Sequence, residues 1–396
     1  MEFTVSLVDF KNVLQKLLPA IPPKSTVPVL EHIYMKLSQG RLQLVATDQT
    51  ITIISYLEVL NSSEGAVLVP ARMLNEIVKA LGNTTTLNFI VNPDNFEVKL
   101  FANKGEYEMK GLDPDDYIDI PQLFDIEKPV YDENDGLATN QNNRAEFTKS
   151  QISKLAEQTI YCVSSDEYRI AMTGVFFQFR ENYVNAVSTD SFRLSRFTVQ
   201  SDRPVFPQNF DLLIPAKSLE ILKKADSDVV MTTVENFDKI THVRFDMDNT
   251  IFLTRVLDDK FPPYESVLPK SNDLFLIVDL YEFENAIKRV SLFAHEKSKQ
   301  IKFMIEPDLL HIYAEDEDSG KHGKETISCD FNRDNFNVVF NYKYILEALE
   351  HIDPKDTNDN LVYLTFSDST KPALLLPSLD SQETLMLIMP VRISSN

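Results

Sequence analysis

Glycine is scarce in this 396-residue chain, with nine in all. That leaves little material for phosphate-cradling loops, and neither GxxxxGK(S/T) nor GxGxxG occurs, so no nucleotide-binding turn is expected. The two cysteines, Cys162 and Cys329, lie far apart and form no CxxC pair, which excludes a disulfide framework and points to a reducing cytosol. Six histidines (His32, His242, His295, His311, His322 and His351) show no HxxxH or HExxH spacing, so no zinc centre is expected. There is no GxSxG elbow. No stretch approaches the roughly 20 apolar residues that span a bilayer. Met1 leads straight into EFTVSL without a basic segment or long apolar run, so no signal peptide is expected. Basic charge is also in short supply: the net charge is −21, which on its face argues against nucleic acid and anionic membranes. The acidic runs Asp113-Pro114-Asp115-Asp116 and Glu315-Asp316-Glu317-Asp318 lack EF-hand spacing and read as solvated turns. No catalytic, cofactor or metal constellation emerges, and no enzyme is expected.

What the chain does contain is repetition. LVPARMLNEIVKAL begins at Leu68, LIPAKSLEILKKA at Leu213, and a weaker copy, VFNYKYILEALEHI, at Val339. Each is an apolar run, a break and an amphipathic helix. The spacing is that of a domain, not of a solenoid unit. A second series keeps the same rhythm: SLVDFKNVLQKLL from Ser6, TKSQISKLAEQTI from Thr148 and DLYEFENAIKRVSL from Asp279. Phe10, Val13, Leu14 and Leu17 share one helical face, as do Ile152, Leu155 and Thr159, and then Phe283, Ile287 and Val290. Between the helices run alternating apolar segments, with a hairpin expected at Asp48-Gln49 and turns at Asn92-Pro93-Asp94 and Asn103-Lys104-Gly105.

The expected fold is therefore α+β, with more strand than helix: three tandem copies of a two-helix, antiparallel-sheet domain. The boundaries are set at 1–127, 143–269 and 270–396, with the acidic, aperiodic stretch 128–142 as linker. The repeated helices are close to neutral, so the acidity lies outside them. If such helices lined one surface and a dimer closed it, a mildly positive bore within an acidic shell would hold a phosphate backbone without reading bases. An acidic enzyme with a carboxylate pair, or a peptide-binding scaffold that never encircles DNA, are the competing readings.

Specific segments sharpen the choice. VATD at Val45–Asp48, VPARMLNEIVKAL, STDSFRL at Ser188–Leu194, FPPYESVLP at Phe261–Pro269 and terminal MPVRI at Met389–Ile393 occur in an order and spacing that resembles the bacterial DNA polymerase III β subunits, the sliding clamps, over essentially the full length. The resemblance implies the DNA clamp fold, each chain forming half of a head-to-tail homodimeric ring. It implies a processivity factor that encircles double-stranded DNA without sequence preference in the cytoplasm. Its partners would be the polymerase III α subunit, the clamp loader and other replication and repair proteins carrying short linear motifs, with no cofactor and no membrane.

Carried over motif by motif, the partner cleft between the second and third domains would comprise Met172, Thr189, Ser191, Phe192, Arg193 and Leu194. Pro262, Val267, Leu387, Met389, Pro390, Val391 and Arg392 would complete it, flanked by Tyr344, Thr370 and Pro372. Lys24, Arg72, Lys79, Lys149, Lys154, Lys217, Lys223, Lys224 and Lys297 would face DNA. Tyr107 and Met109 of one protomer would meet Leu292 and Phe293 of the other. Two departures from the family pattern stand out: Ser191-Phe192 replaces Gly-His, and Glu265-Ser266 replaces a basic pair. They imply a cleft that is less cationic and more aromatic. Ser394–Asn396 extend beyond the usual ending and would partly shade it.

Overall fold

The computed structural model describes residues 1–82, 85–118, 137–200, 209–236 and 239–392, and for 137–142 the backbone alone. The chain is 22% helix and 46% strand, and every strand pair is antiparallel. It forms two compact units, 1–152 with 224–256, and 153–223 with 257–396.

The six expected helices are present: α1 (Leu7–Leu17), α2 (Ala71–Ala80), α3 (Lys149–Ile160), α4 (Ala216–Leu222), α5 (Leu280–Ser291) and α6 (Tyr342–Glu350). Their starts are chemically marked. Ser6 Oγ accepts the Asp9 N–H, Asp279 Oδ1 the Glu282 N–H and Asn341 Oδ1 the Lys343 N–H. Pro70 and Pro215 stand immediately before α2 and α4, where their fixed φ ends a strand without costing a helical hydrogen bond. The apolar faces read from the sequence are the buried ones: Phe10, Leu14 and Leu17 on α1, Phe283 and Ile287 on α5.

In the first unit, Leu60–Ser63, Glu2–Ser6, Thr86–Val91, Glu97–Ala102 and Gly105–Lys110 form a five-stranded sheet in that order. An eight-stranded sheet runs Leu137–Phe147, Val229–Asn236, Lys239–Met247, Thr250–Arg255, Ile51–Glu58, Arg41–Thr47, His32–Ser38, Gly65–Pro70. The Asp48-Gln49 hairpin is as expected: Asp48 Oδ1 accepts from the N–H groups of Thr50 and Ile51, and Gln49 takes φ +73°.

The linker expectation needs correction. Residues 137–142 belong to the strand Leu137–Phe147, paired with Val229–Asn236. Among the described residues this is an edge strand, and an edge tolerates the polar, Asn-rich composition that hid its periodicity. Residues 128–136 lie outside the described residues.

In the second unit, a nine-stranded sheet runs Phe210–Pro215, Gly174–Arg180, Tyr183–Thr189, Arg193–Gln200, Thr384–Ile388, Ala373–Leu376, Leu361–Phe366, Leu274–Asp279, Asp330–Phe331. A four-stranded sheet runs Lys321–Ser328, Leu309–Asp316, Gln300–Ile305, Phe336–Asn341. The joint Arg193↔Ile388, Leu194↔Leu387 brings strands from distant parts of the sequence into one sheet. Phe283, Phe303, Phe340 and Phe366 fill the core between sheet and helices.

Candidate functional site

The carried-over cleft residues converge in the second unit, where three strand ends meet. Leu194 and Leu387 are buried in a cluster with Ala171, Val187, Leu213, Phe261 and Tyr264, against which Met389 packs. They are floor, and contribute shape rather than exposed contact. Thr189 is also buried, its Oγ1 donating to Arg193 O. Phe192 is 57% exposed and Val267 50% exposed, two large apolar groups that stay about half open to solvent. Met172, Pro262 and Pro372 are half-buried, and Thr370 is held by Asp368 in the turn before Ala373–Leu376. The chain end is tied down: the Met389 N–H donates to Phe192 O (2.8 Å) and the Val391 N–H to Val339 O (2.8 Å), with Pro390 buried between them. Arg392 is exposed, and Ser394–Asn396 lie outside the described residues.

Arg193 fastens the cleft wall. Its Nε donates to Asp190 Oδ2 (3.0 Å), one terminal nitrogen to Glu347 of α6, and the other to Tyr161 O (2.7 Å). The guanidinium lies 4.7 Å from the Tyr344 ring centroid, and Phe192 stacks on Tyr344 at 6.2 Å. Two carboxylates and an aromatic face thus satisfy a cation that is largely out of water. Ser191, where glycine would be at ease, sits at φ +79°. Its hydroxyl accepts from Arg169 Nη1 (2.8 Å) and faces Met172 Sδ at 3.3 Å, tying the 164–172 loop to the 190–192 turn. Asp190, Tyr161 and Glu347 were not foreseen, since a buried arginine's partners come from three separate elements. Ile170 and Tyr168, exposed beside Met172 in sequence, were also missed.

The other carried-over residues are placed individually. Arg72, Lys79, Lys149, Lys217 and Lys224 are exposed on or beside helices, and Lys24 and Lys297 on loops. Lys154 is not open to solvent as expected: it is half-buried, 2.9 Å from Asp356 and 3.8 Å from Glu383, because α3 packs it against an acidic loop. Lys223 lies 3.6 Å from Glu157. Met109 also needs correction: at 4% exposure it is buried within its own unit, although Tyr107, two residues earlier on the same face of the strand, is exposed. Tyr107, Leu292 and Phe293 are exposed, Leu292 at 77%.

Tyr107 and Phe293 mark two strands that end their sheets among the described residues, Gly105–Lys110 and Lys321–Ser328. Tyr107 folds over Gly105 and Phe293 over Gly323, where a Cβ would lie 2.7 Å and 2.6 Å from the respective aromatic side chain. Glycine at each spot permits that close approach.

A chain of tandem two-helix, antiparallel-sheet domains has the architecture of a clamp-type protein. Families described as DNA polymerase III beta subunit, N-terminal, central and C-terminal domain match residues 1–121, 146–263 and 265–392 in order. The beta sliding clamps of Staphylococcus aureus and Staphylococcus epidermidis are each 28% identical, over 402 and 404 residues, covering 99% of this chain and 99% of theirs. The DNA polymerase sliding clamp structure from Bacillus subtilis superposes with a TM-score of 0.86 at 26% identity, covering 100% of both chains. The chain belongs to the bacterial DNA polymerase III beta subunit family, the sliding clamps, and its function is that of a ring-forming DNA polymerase processivity factor.

Proposed function

We propose that two copies close head to tail around duplex DNA and hold replication proteins on it through the cleft at the chain end. The observation that carries this is the in-order match of all three domains along one chain. The domains of the ring are 1–127, 143–269 and 270–396. Lys24, Arg72, Lys79, Lys149, Lys217, Lys224 and Lys297 face the DNA; the acid-paired Lys154 and Lys223 contribute less. Contacts of this kind are sequence-independent and weaken with salt.

At the seam, the free edge Gly105–Lys110 of one protomer meets Lys321–Ser328 of its partner, with Tyr107, Leu292 and Phe293 packing alongside. Charge supports the pairing: Glu106 and Glu108 lie on the first edge, Lys321 and Lys324 on the second. A heterologous contact repeated by two-fold symmetry closes the ring.

The cleft, with Met172, Phe192, Val267 and Met389 above the Leu194–Leu387 floor, takes short linear peptides of the polymerase α subunit, the clamp loader and repair proteins. Adaptable methionine walls suit varied ligands. The chain works without catalysis or cofactor, in the cytoplasm. Among the described residues, no helix is long and apolar enough to cross a membrane.

The test is topological. Loaded onto nicked circular DNA, the protein stays bound at high salt and is lost when the circle is linearised. Equal retention on both forms overturns the encircling reading.

A further inference from the structure

We propose that Glu265 makes this cleft prefer peptides carrying a lysine or arginine beside their apolar anchors, an inference that rests on the reading of the cleft as a peptide site. Glu265 sits in the single 3₁₀ turn Tyr264–Ser266, two residues before the exposed Val267. The turn is fixed from below. The Tyr264 ring is buried in the cleft floor and its hydroxyl donates to Gln178 Oε1 at 2.5 Å. Phe261, preceding it, stacks on Phe176 at 4.9 Å. Glu265 is thereby held at the surface, where it accepts a hydrogen bond from the Gln178 amide at 3.4 Å. No cation pairs with it among the described residues.

Three cations of the same unit are engaged elsewhere. Arg193 serves two carboxylates, Asp190 and Glu347, leaving that trio net negative. Arg169 lies 3.4 Å from Asp166, and Lys371 3.1 Å from Asp368. Arg392, exposed at the end of the described chain, is the one cation of the proposed lining without an ion pair among the described residues. A peptide settling against Val267 therefore meets an uncompensated carboxylate there. The chain's net charge of −21 adds a long-range bias of the same sign. An acidic flank at this spot is repelled and a basic one is attracted.

The experiment uses the full-length protein and three fluorescent ten-residue peptides sharing the same leucine and phenylalanine anchors, flanked by Lys, Ser or Glu. At low salt, the Lys-flanked peptide binds about two- to five-fold tighter than the Glu-flanked one, the range of an exposed ion pair. The gap narrows as salt shortens the screening length. Glu265→Gln shrinks the preference to the residual long-range bias, and Glu265→Lys shrinks it further or reverses it. Equal binding of all three, or a preference unchanged in Glu265→Lys, overturns this inference while leaving the peptide cleft standing. Failure of all three to bind overturns the cleft and the inference together.

Discussion

Ser191 shows how a single backbone angle shapes the site. At φ +79° a residue with a Cβ is strained by roughly 1 kcal/mol. Its hydroxyl offsets part of that through Arg169 and Met172. Ser191→Gly relieves the strain but removes the tie. We expect global stability to stay within about 1 kcal/mol in urea unfolding, while peptide affinity falls as the Met172 loop loosens. Unchanged affinity would show that the tie does not matter. The substitution pattern Ser191-Phe192 was legible in the sequence, but the left-handed angle and the hydroxyl's partners were not. The thiols are another residue-scale case. Burial pushes Cys162 up to about 12, and burial with the nearby Asp308 pushes Cys329 up to about 11. Both remain neutral thiols at pH 8, where native protein should react with iodoacetamide far more slowly than protein in urea. The sign for stability follows. An unfolded thiol ionises near pH 9 while these stay protonated, so their contribution is intact below pH 9 and declines above it.

Among the elements, the segment that follows the last strand, Thr384–Ile388, carries the sharpest prediction. Deleting Met389–Asn396 removes the backbone bonds to Phe192 and Val339 and the Met389 wall. Peptide binding by fluorescence polarisation should be abolished while the dimer persists by light scattering. Retained affinity would remove the site from this end of the chain. Helices were readable because an apolar face coincides with a marked start: the capping side chains Ser6, Asp279 and Asn341 announce α1, α5 and α6, and Pro70 and Pro215 announce α2 and α4. The strand Leu137–Phe147 was not, since its polar composition carries no alternation strong enough to distinguish an edge from a linker. The candidate cleft residues came from short motifs, yet which of them are buried (Leu194, Leu387) and which exposed (Phe192, Val267) depends on packing that spacing does not encode.

For the whole molecule, the seam is the point of attack. Leu292→Asp with Phe293→Asp places two carboxylates where an apolar contact is proposed, and desolvating them costs several kcal/mol. The expected result is monomers by light scattering, with loss of topological retention on circular DNA but an unchanged fold by circular dichroism. A persisting dimer refutes the assignment. Met109→Asp should behave differently: with its side chain buried within its own unit, it should unfold the first unit rather than merely separate protomers.

The ladder joining Arg193–Gln200 to Thr384–Ile388 has a bearing on how the cleft is shared. Backbone hydrogen bonds weld the floor of the proposed berth, so its shape is set before anything moors there. On that proposal successive tenants need not wait for a door to swing, and turnover is governed by how quickly each one lets go.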